Sequence, residues 1–255
     1  MRISVLTMFP ELFGDFKKAP VIARQLKSGR LDLRVLDIKS FAPGSFRRID
    51  DSPYGGGAGM ILRCQPVVDA LRAARQMYET EKGQNPAKPG AESDKVDHTL
   101  TIALEPAGQP FSQQMARRFS NLDHLILICG HYEGMDARIY EYVDEVVSIG
   151  DYVLTGGELP AMVLTDAVVR LTEGALRKES TTEESFENGI LEYPQYTRPV
   201  VFEGKEVPQV LLSGNHEEIR KWRSQAALER TARMRPELLR ESSSDETIVR
   251  RRTEE

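Results

Sequence analysis

Three glycine-bearing stretches hold the residues best suited to chemistry in this chain of 255 residues. One reads Gly130-His131-Tyr132-Glu133-Gly134. A second runs Ser148-Ile149-Gly150-Asp151-Tyr152-Val153-Leu154-Thr155-Gly156-Gly157-Glu158-Leu159-Pro160. The third is Asp50-Asp51-Ser52-Pro53-Tyr54-Gly55-Gly56-Gly57-Ala58-Gly59-Met60. Glycine lets the backbone approach a ligand closely and presents bare amides to its oxygens. The interleaved acids and tyrosines add proton acceptors and flat apolar surface. The third loop lacks the Gly-Lys-Ser/Thr ending of a phosphate-binding Walker motif, and a flexible surface loop is its plain alternative.

These stretches need strands and a helix to position them. The first follows a wholly apolar run, Leu125 to Cys129, short enough for a buried strand. The second follows a β-rich piece, Val143 to Ile149. Pro160 then reads as the first position of a helix with an apolar face of Met162, Val163, Ala167, Val168 and Leu171. In an open α/β sheet, ligands bind beyond the carboxyl ends of the strands, so the pocket is expected there.

Further strands are expected at Ile3–Thr7, Leu31–Ile38 and Thr99–Leu104. Helices are expected at about Glu11–Leu26, ended by Gly29, at Pro66–Glu81 and at Ser112–Phe119. Lys82–Asp97 is polar, rich in Pro and Gly, and reads as an exposed loop. No stretch sustains the eighteen or so apolar residues of a membrane helix. The apolar start, MRISVLTMFPELF, is broken by Pro10 and Glu11 and reads as a first strand rather than a signal peptide. Cys64 and Cys129 lie far apart without metal-ligand spacing. Neither a disulfide framework nor a zinc site is supported, and a reducing cytoplasm fits.

Net charge is −5, which at first argues against a nucleic-acid partner. The distribution reverses that locally. Arg220, Lys221, Arg223, Arg230, Arg233, Arg235 and Arg240 face only Glu229 and Glu237 between positions 220 and 240. Asn215 reads as the N-cap of a helix carrying Ile219, Trp222, Ala226 and Leu228 on one side and basic residues on the other. Its alternatives are a solvated helix packed through Trp222 and a small domain gripping an RNA backbone. Residues 176–193 are acidic and sparse in apolar side chains, as in a linker. Residues 241–255 read as a disordered tail.

The ordered set Cys129-Gly130-x-Tyr132-Glu133-Gly134, then Ser148-Ile149-Gly150-Asp151-Tyr152-Val153-Leu154-x-Gly156-Gly157-Glu158-Leu159-Pro160-Ala161-Met162, resembles the bacterial tRNA (guanine-N1)-methyltransferases, the TrmD family. The third loop and Glu184-Ser185-Phe186 extend the resemblance over nearly the whole chain. Departures are Phe46 at a position where the family commonly has His, and Ala103 at a frequent Tyr position. The resemblance implies an α/β fold of the trefoil-knotted SPOUT type, an open sheet with flanking helices, plus a small C-terminal helical domain. It divides the chain into a donor-binding domain at 1–175, a linker or lid at 176–193 and a basic tRNA-binding domain at 194–240. It implies a cytoplasmic homodimer with no membrane association. Its members use S-adenosylmethionine to methylate the guanosine just 3′ of the anticodon.

On the same basis the donor would be held by Leu104, Pro106, Gly130, Tyr132, Glu133, Ser148, Ile149, Gly150, Asp151, Tyr152, Val153, Leu154, Gly156, Gly157 and Pro160. The tRNA would meet Asp51, Tyr54, Gly55, Gly59, Arg198, Asn215, His216, Arg220 and Arg223. Methylation at N1 needs removal of its proton and relief of charge developing towards O6. The resemblance assigns these tasks to Glu184, where the family has Asp, and to Arg170. Glu183 competes with Glu184. The family's Mg2+ dependence finds no ligand set in the sequence, so such an ion would sit with substrate and water. The alternatives are a non-catalytic RNA-binding protein of the same fold, a related SPOUT methyltransferase with another target, and a nucleotide-phosphate binder using Tyr54–Gly59.

Overall fold

A computed structural model describes residues 1–84, 98–176 and 184–239. Most of the expected 82–97 loop, Glu183, Arg240 and the tail at 241–255 lie outside the described residues. The chain divides into two compact units, Met1–Leu176 and Arg177–Glu255.

The first unit is built on a five-stranded sheet. Its strands are β1 (Arg2–Thr7), β2 (Asp32–Asp37), β5 (Thr99–Pro110), β6 (His124–Cys129) and β7 (Glu145–Ser148), in the order β2-β1-β6-β5-β7. All four neighbouring pairs are parallel. Every residue of β6 is buried, as its unbroken apolar run requires of a central parallel strand. Its side chains alternate between two cores. Leu125, Leu127 and Cys129 join one with Ile3, Val5, Ile22, Phe119 and Leu164. Ile126 and Ile128 join the other with Leu62, Val67, Leu71 and Ala74.

Helices cover both faces. On the first core lie α2 (Pro20–Lys27), α4 (Gln113–Ser120) and α5 (Glu158–Val169); on the second lies α3 (Cys64–Gln84). Along α3 the buried Val67, Ala70, Leu71 and Ala74 recur at helical spacing. A small antiparallel pair, β3 (Asp50–Asp51) and β4 (Ile61–Leu62), brackets the third glycine loop. Cys64 and Cys129 are both free thiols.

Several expected boundaries move. The single helix expected over 11–26 is broken into a 3-10 turn at Pro10–Leu12, a short α1 (Phe13–Phe16) and α2. Pro20 has no amide hydrogen and cannot continue a helix, so it opens a new one instead. Gly29, at φ 72°, follows that helix in the left-handed conformation expected of its end. Helix α5 starts at Glu158, two residues before Pro160. Its buried face is Ala161, Leu164, Thr165, Val168 and Val169, whereas Val163 of the expected face is 46% exposed.

The second unit centres on α7 (His216–Met234), preceded by a hairpin of β8 (Val201–Phe202) and β9 (Lys205–Glu206) and by α6 (Gln209–Leu212). Asn215 caps α7, its side chain accepting from the amides of Glu217 and Glu218. Ala227 and Thr231 form its buried line, and Leu228 is exposed instead of packed. Residues 184–193 lie along this helix: the Leu191 amide donates to Thr231 Oγ1 at 3.0 Å, and Arg230 donates to the Glu192 carbonyl at 3.0 Å.

Burial predicts the cost of truncation along α3. Leu71→Ala should lose roughly 2–5 kcal/mol in urea unfolding, and Met77→Ala, half exposed, no more than about 0.5 kcal/mol.

Candidate functional site

The carboxyl ends of the adjacent strands β6, β5 and β7 open into one cavity of about 320 Å3. Its walls come from residues 104–107, 130–135, 147–150 and 152–157, with Pro160. The position is the crevice that parallel sheets use for ligands.

Close backbone approaches build this cavity. Strand β5 pairs with β7 as far as Leu104 opposite Val147, then resumes with Gln109 opposite the same Val147. Residues 105–108 therefore bulge out over the strand end. The strand continues past the turn where sequence had ended it. Gly108 is required in this bulge, since a Cβ there would lie 2.5 Å from the Val147 backbone. The second loop is tied to the first by the Gly157 amide, which donates to the Gly130 carbonyl at 2.8 Å, and by a bridge between His131 and Gly156. A Cβ on Gly157 would stand 2.6 Å from Cys129 Cα.

The third loop is joined as well. Glu133 donates its amide to the Met60 carbonyl at 3.1 Å, and Leu62 to the Gly134 carbonyl at 3.0 Å. Gly59 faces the Glu133 side chain, which lies 2.3 Å from where a Cβ would stand. Tyr132 sits at φ 62°, a left-handed conformation forced at the centre of this junction. Burial first, then Asp50 nearby, pushes its hydroxyl above the ordinary tyrosine range.

Beneath the loops lies a buried polar contact that sequence reading missed. Glu158, 4% exposed, accepts from Thr7 Oγ1 at 2.7 Å, and its other oxygen is 4.0 Å from His131 Nδ1. Burial, with Glu158 close by, holds the Cys129 thiol well above its ordinary range, so it stays protonated and unreactive.

Of the residues named from sequence as donor contacts, all but Asp151 line this cavity. Asp151 is exposed. The Tyr152 amide donates to the Gly150 carbonyl at 2.9 Å, and the Tyr152 hydroxyl donates to the Ile149 carbonyl at 3.2 Å. This tight turn keeps Tyr152 in the wall and leaves Asp151 in solvent. Glu105, Ala107, His131, Gly134, Met135, Val147 and Thr155 line the cavity without having been named. For Glu105 the available signal was an acid directly after an apolar strand.

Arg170 is outside the cavity. It caps the far end of α5, ten residues beyond Pro160 and so roughly 15 Å along the helix axis. Among the RNA candidates, Tyr54 is fully exposed, Gly55 and Gly59 are left-handed, and Asp51 pairs with Arg48 at 3.6 Å. In the second unit Glu184 lines a hollow of about 270 Å3 with Arg220 and Arg223. Arg223 stacks over Tyr193 at 4.7 Å, and Arg198, His216 and Arg220 are exposed. The Asn215 oxygen is engaged in its helix cap. Lys221 pairs with Glu217 and Glu218, which removes part of the positive excess read from sequence. Among the described residues no group of three or more His, Cys, Asp or Glu side chains is placed to hold a metal.

The family described as tRNA (Guanine-1)-methyltransferase TrmD matches residues 1–241. The chain belongs to it. Relatives named tRNA (guanine-N(1)-)-methyltransferase include that of Moorella thermoacetica, 48% identical over 94% of this chain and 90% of its own length. Those of Heliobacterium modesticaldum and Clostridium beijerinckii are 48% and 45% identical, over 94% and 93% of this chain and 84% and 92% of their own lengths. Membership in TrmD spans both units and all three glycine loops.

The close approaches predict which glycines cannot change. Gly157→Ala should destabilise the first unit by at least about 1–3 kcal/mol in chemical unfolding and close the cavity to ligand. Gly83→Ala, whose Cβ would meet nothing, should be neutral or slightly stabilising.

Proposed function

We propose that the chain transfers a methyl group from S-adenosylmethionine to N1 of the guanosine immediately 3′ of the anticodon in tRNA. As a TrmD family member it is a tRNA (guanine-1)-methyltransferase, and S-adenosylmethionine is the donor that the family implies. The observation that carries the donor assignment is the glycine-walled cavity. It combines close-lying glycine backbone at Gly130, Gly150, Gly156 and Gly157 with flat or apolar surface from Leu104, Pro106, Tyr132, Tyr152, Leu154 and Pro160. Among the described residues its lining includes neither lysine nor arginine, which suits a cationic sulfonium and not a phosphate.

When bound, the donor supplies an electrophilic methyl group. The residues of the chain do the rest. The loops orient that group and exclude water, so proximity supplies much of the rate. Glu184 takes the N1 proton, since a carboxylate with one more methylene than Asp still serves as a base where it reaches. Arg170, a permanent cation, offsets charge developing on O6. The guanine leaves its stack to enter, as bases do in enzymes that modify them. The exposed Tyr54 loop and the basic residues Arg198, His216, Arg220 and Arg223 contact the RNA.

Arg170 reaches the chemistry in a homodimer. Within one chain it stands at the far end of α5 from the cavity, so a second copy delivers it, along with the linker carboxylate. Leu159, 59% exposed, and Val163 give α5 an apolar outer flank that suits such a partner. The same reading takes the sheet as a knotted SPOUT fold, the segment 176–193 as a lid, any Mg2+ as held by substrate and water, and the cytoplasm as the site of action.

The test is transfer of labelled methyl groups to tRNA transcripts bearing guanosine or adenosine after the anticodon. Label should reach the guanosine transcript alone. Glu184→Gln should lower the single-turnover rate by about 10²–10⁴ while donor binding persists. Donor binding without transfer to any transcript would overturn the assigned activity in favour of a non-catalytic RNA-binding protein.

A further inference from the structure

Two carboxylates line the cavity, Glu105 and Glu133, with no ammonium or guanidinium group among the described lining residues to balance them. Glu105 opens the 105–108 bulge directly after Leu104, half-buried at the head of the central strands. The Tyr140 hydroxyl, from a 3-10 turn at Ala137–Tyr142, donates to its Oε2. The other oxygen, Oε1, faces Gly134 across the wall, 4.0 Å from where a Cβ at that position would stand. Burial, followed by the bond to Glu105, pushes the Tyr140 hydroxyl far above its ordinary range. The proton of this hydrogen bond therefore stays on tyrosine.

Tyr140 is itself packed in the second core beside Ile139 and Met135. The carboxylate is thus aimed by a side chain that the fold holds still. No described residue forms an ion pair with Glu105. A cavity of 320 Å3 is roughly 7 Å across by its cube root, so any charge inside it lies within range of this carboxylate. Screening by water is weak in a part-enclosed, largely apolar site.

We propose that Glu105, held by Tyr140, is a charge-selecting residue of the donor cavity, making it favour a cationic sulfonium over the neutral thioether left after transfer. The proposal rests on the reading of this cavity as the donor site. As the methyl carbon bonds to N1, the S–C electron pair stays on sulfur. The occupant loses its positive charge while both carboxylates remain. Attraction that held the donor is absent for the product, so the fold uses a fixed charge to help the spent molecule leave.

Isothermal titration of the full chain with three probes tests this. They are S-adenosylmethionine, S-adenosylhomocysteine and sinefungin, which carries an ammonium-bearing carbon in place of the sulfonium. The wild-type protein should bind the two cations about tenfold tighter than the thioether; Glu105→Gln should reduce that preference to about twofold or less by weakening the cations alone. Glu105→Asp, which restores the charge, should keep most of the preference, and Tyr140→Phe should lose part of it. Equal weakening of all three probes in Glu105→Gln would indicate a packing or ribose contact and overturn the proposal. An unchanged ratio would overturn it too. If Glu105→Gln does not fold, the ratio in Tyr140→Phe decides in the same way. A wild-type protein that binds none of the probes would remove the donor reading itself, an outcome distinct from either.

Discussion

The approach of Gly157 to the end of β6 is the constraint on which the site depends. A Cβ there would lie 2.6 Å from Cys129 Cα, which leaves no room for a side chain, and the amide of Gly157 is spent on the Gly130 carbonyl. That single contact holds the loop after β7 against the loop after β6. The His131–Gly156 bridge extends it, and the bulge on β5 closes the third side through Gly108 and Val147. Each contact is backbone against backbone, so main chain and not side chains sets the cavity walls. The ligand-facing side chains are then free to be chosen for chemistry and not for support.

Positive charge is local in this chain and is not a property of either unit as a whole. Among the described residues, the cavity in the first unit is lined by carboxylates and by no lysine or arginine. The second unit carries exposed arginines at 198 and 220. The net charge of −5 therefore coexists with a locally basic stretch between positions 220 and 240. A chain read only by its total would be misclassified as unsuited to nucleic acid.

Much of this was legible in the sequence, for identifiable reasons. The strand β6 announced itself by an unbroken apolar run, and the residues around the glycine loops could be placed through the resemblance of the ordered loops to the TrmD family. Helix faces were less legible. Val163 and Leu228 are apolar and correctly spaced, yet exposed, because periodicity does not say which side the neighbours occupy. The broken first helix was visible in Pro20 but outweighed by the apolar residues around it. Glu105 and Glu158 went unassigned because their significance lies in what meets them, Tyr140 and Thr7, which are 35 and 151 residues away. Separation of that kind leaves no trace in a local pattern.

The bulge at 105–108 has a consequence for how such a protein can change. Strand pairing stops at Leu104 and resumes at Gln109 against the same partner, so the intervening residues contribute nothing to the ladder. With Gly108 kept, substitutions at 105, 106 and 107 alter the lining while the sheet keeps its register. The fold therefore contains an adjustable segment set inside a fixed frame, one that lineages or engineers can rewrite without shifting the strands. Ligand preference and strand register are encoded there by separate residues, and selection can act on one while leaving the other alone.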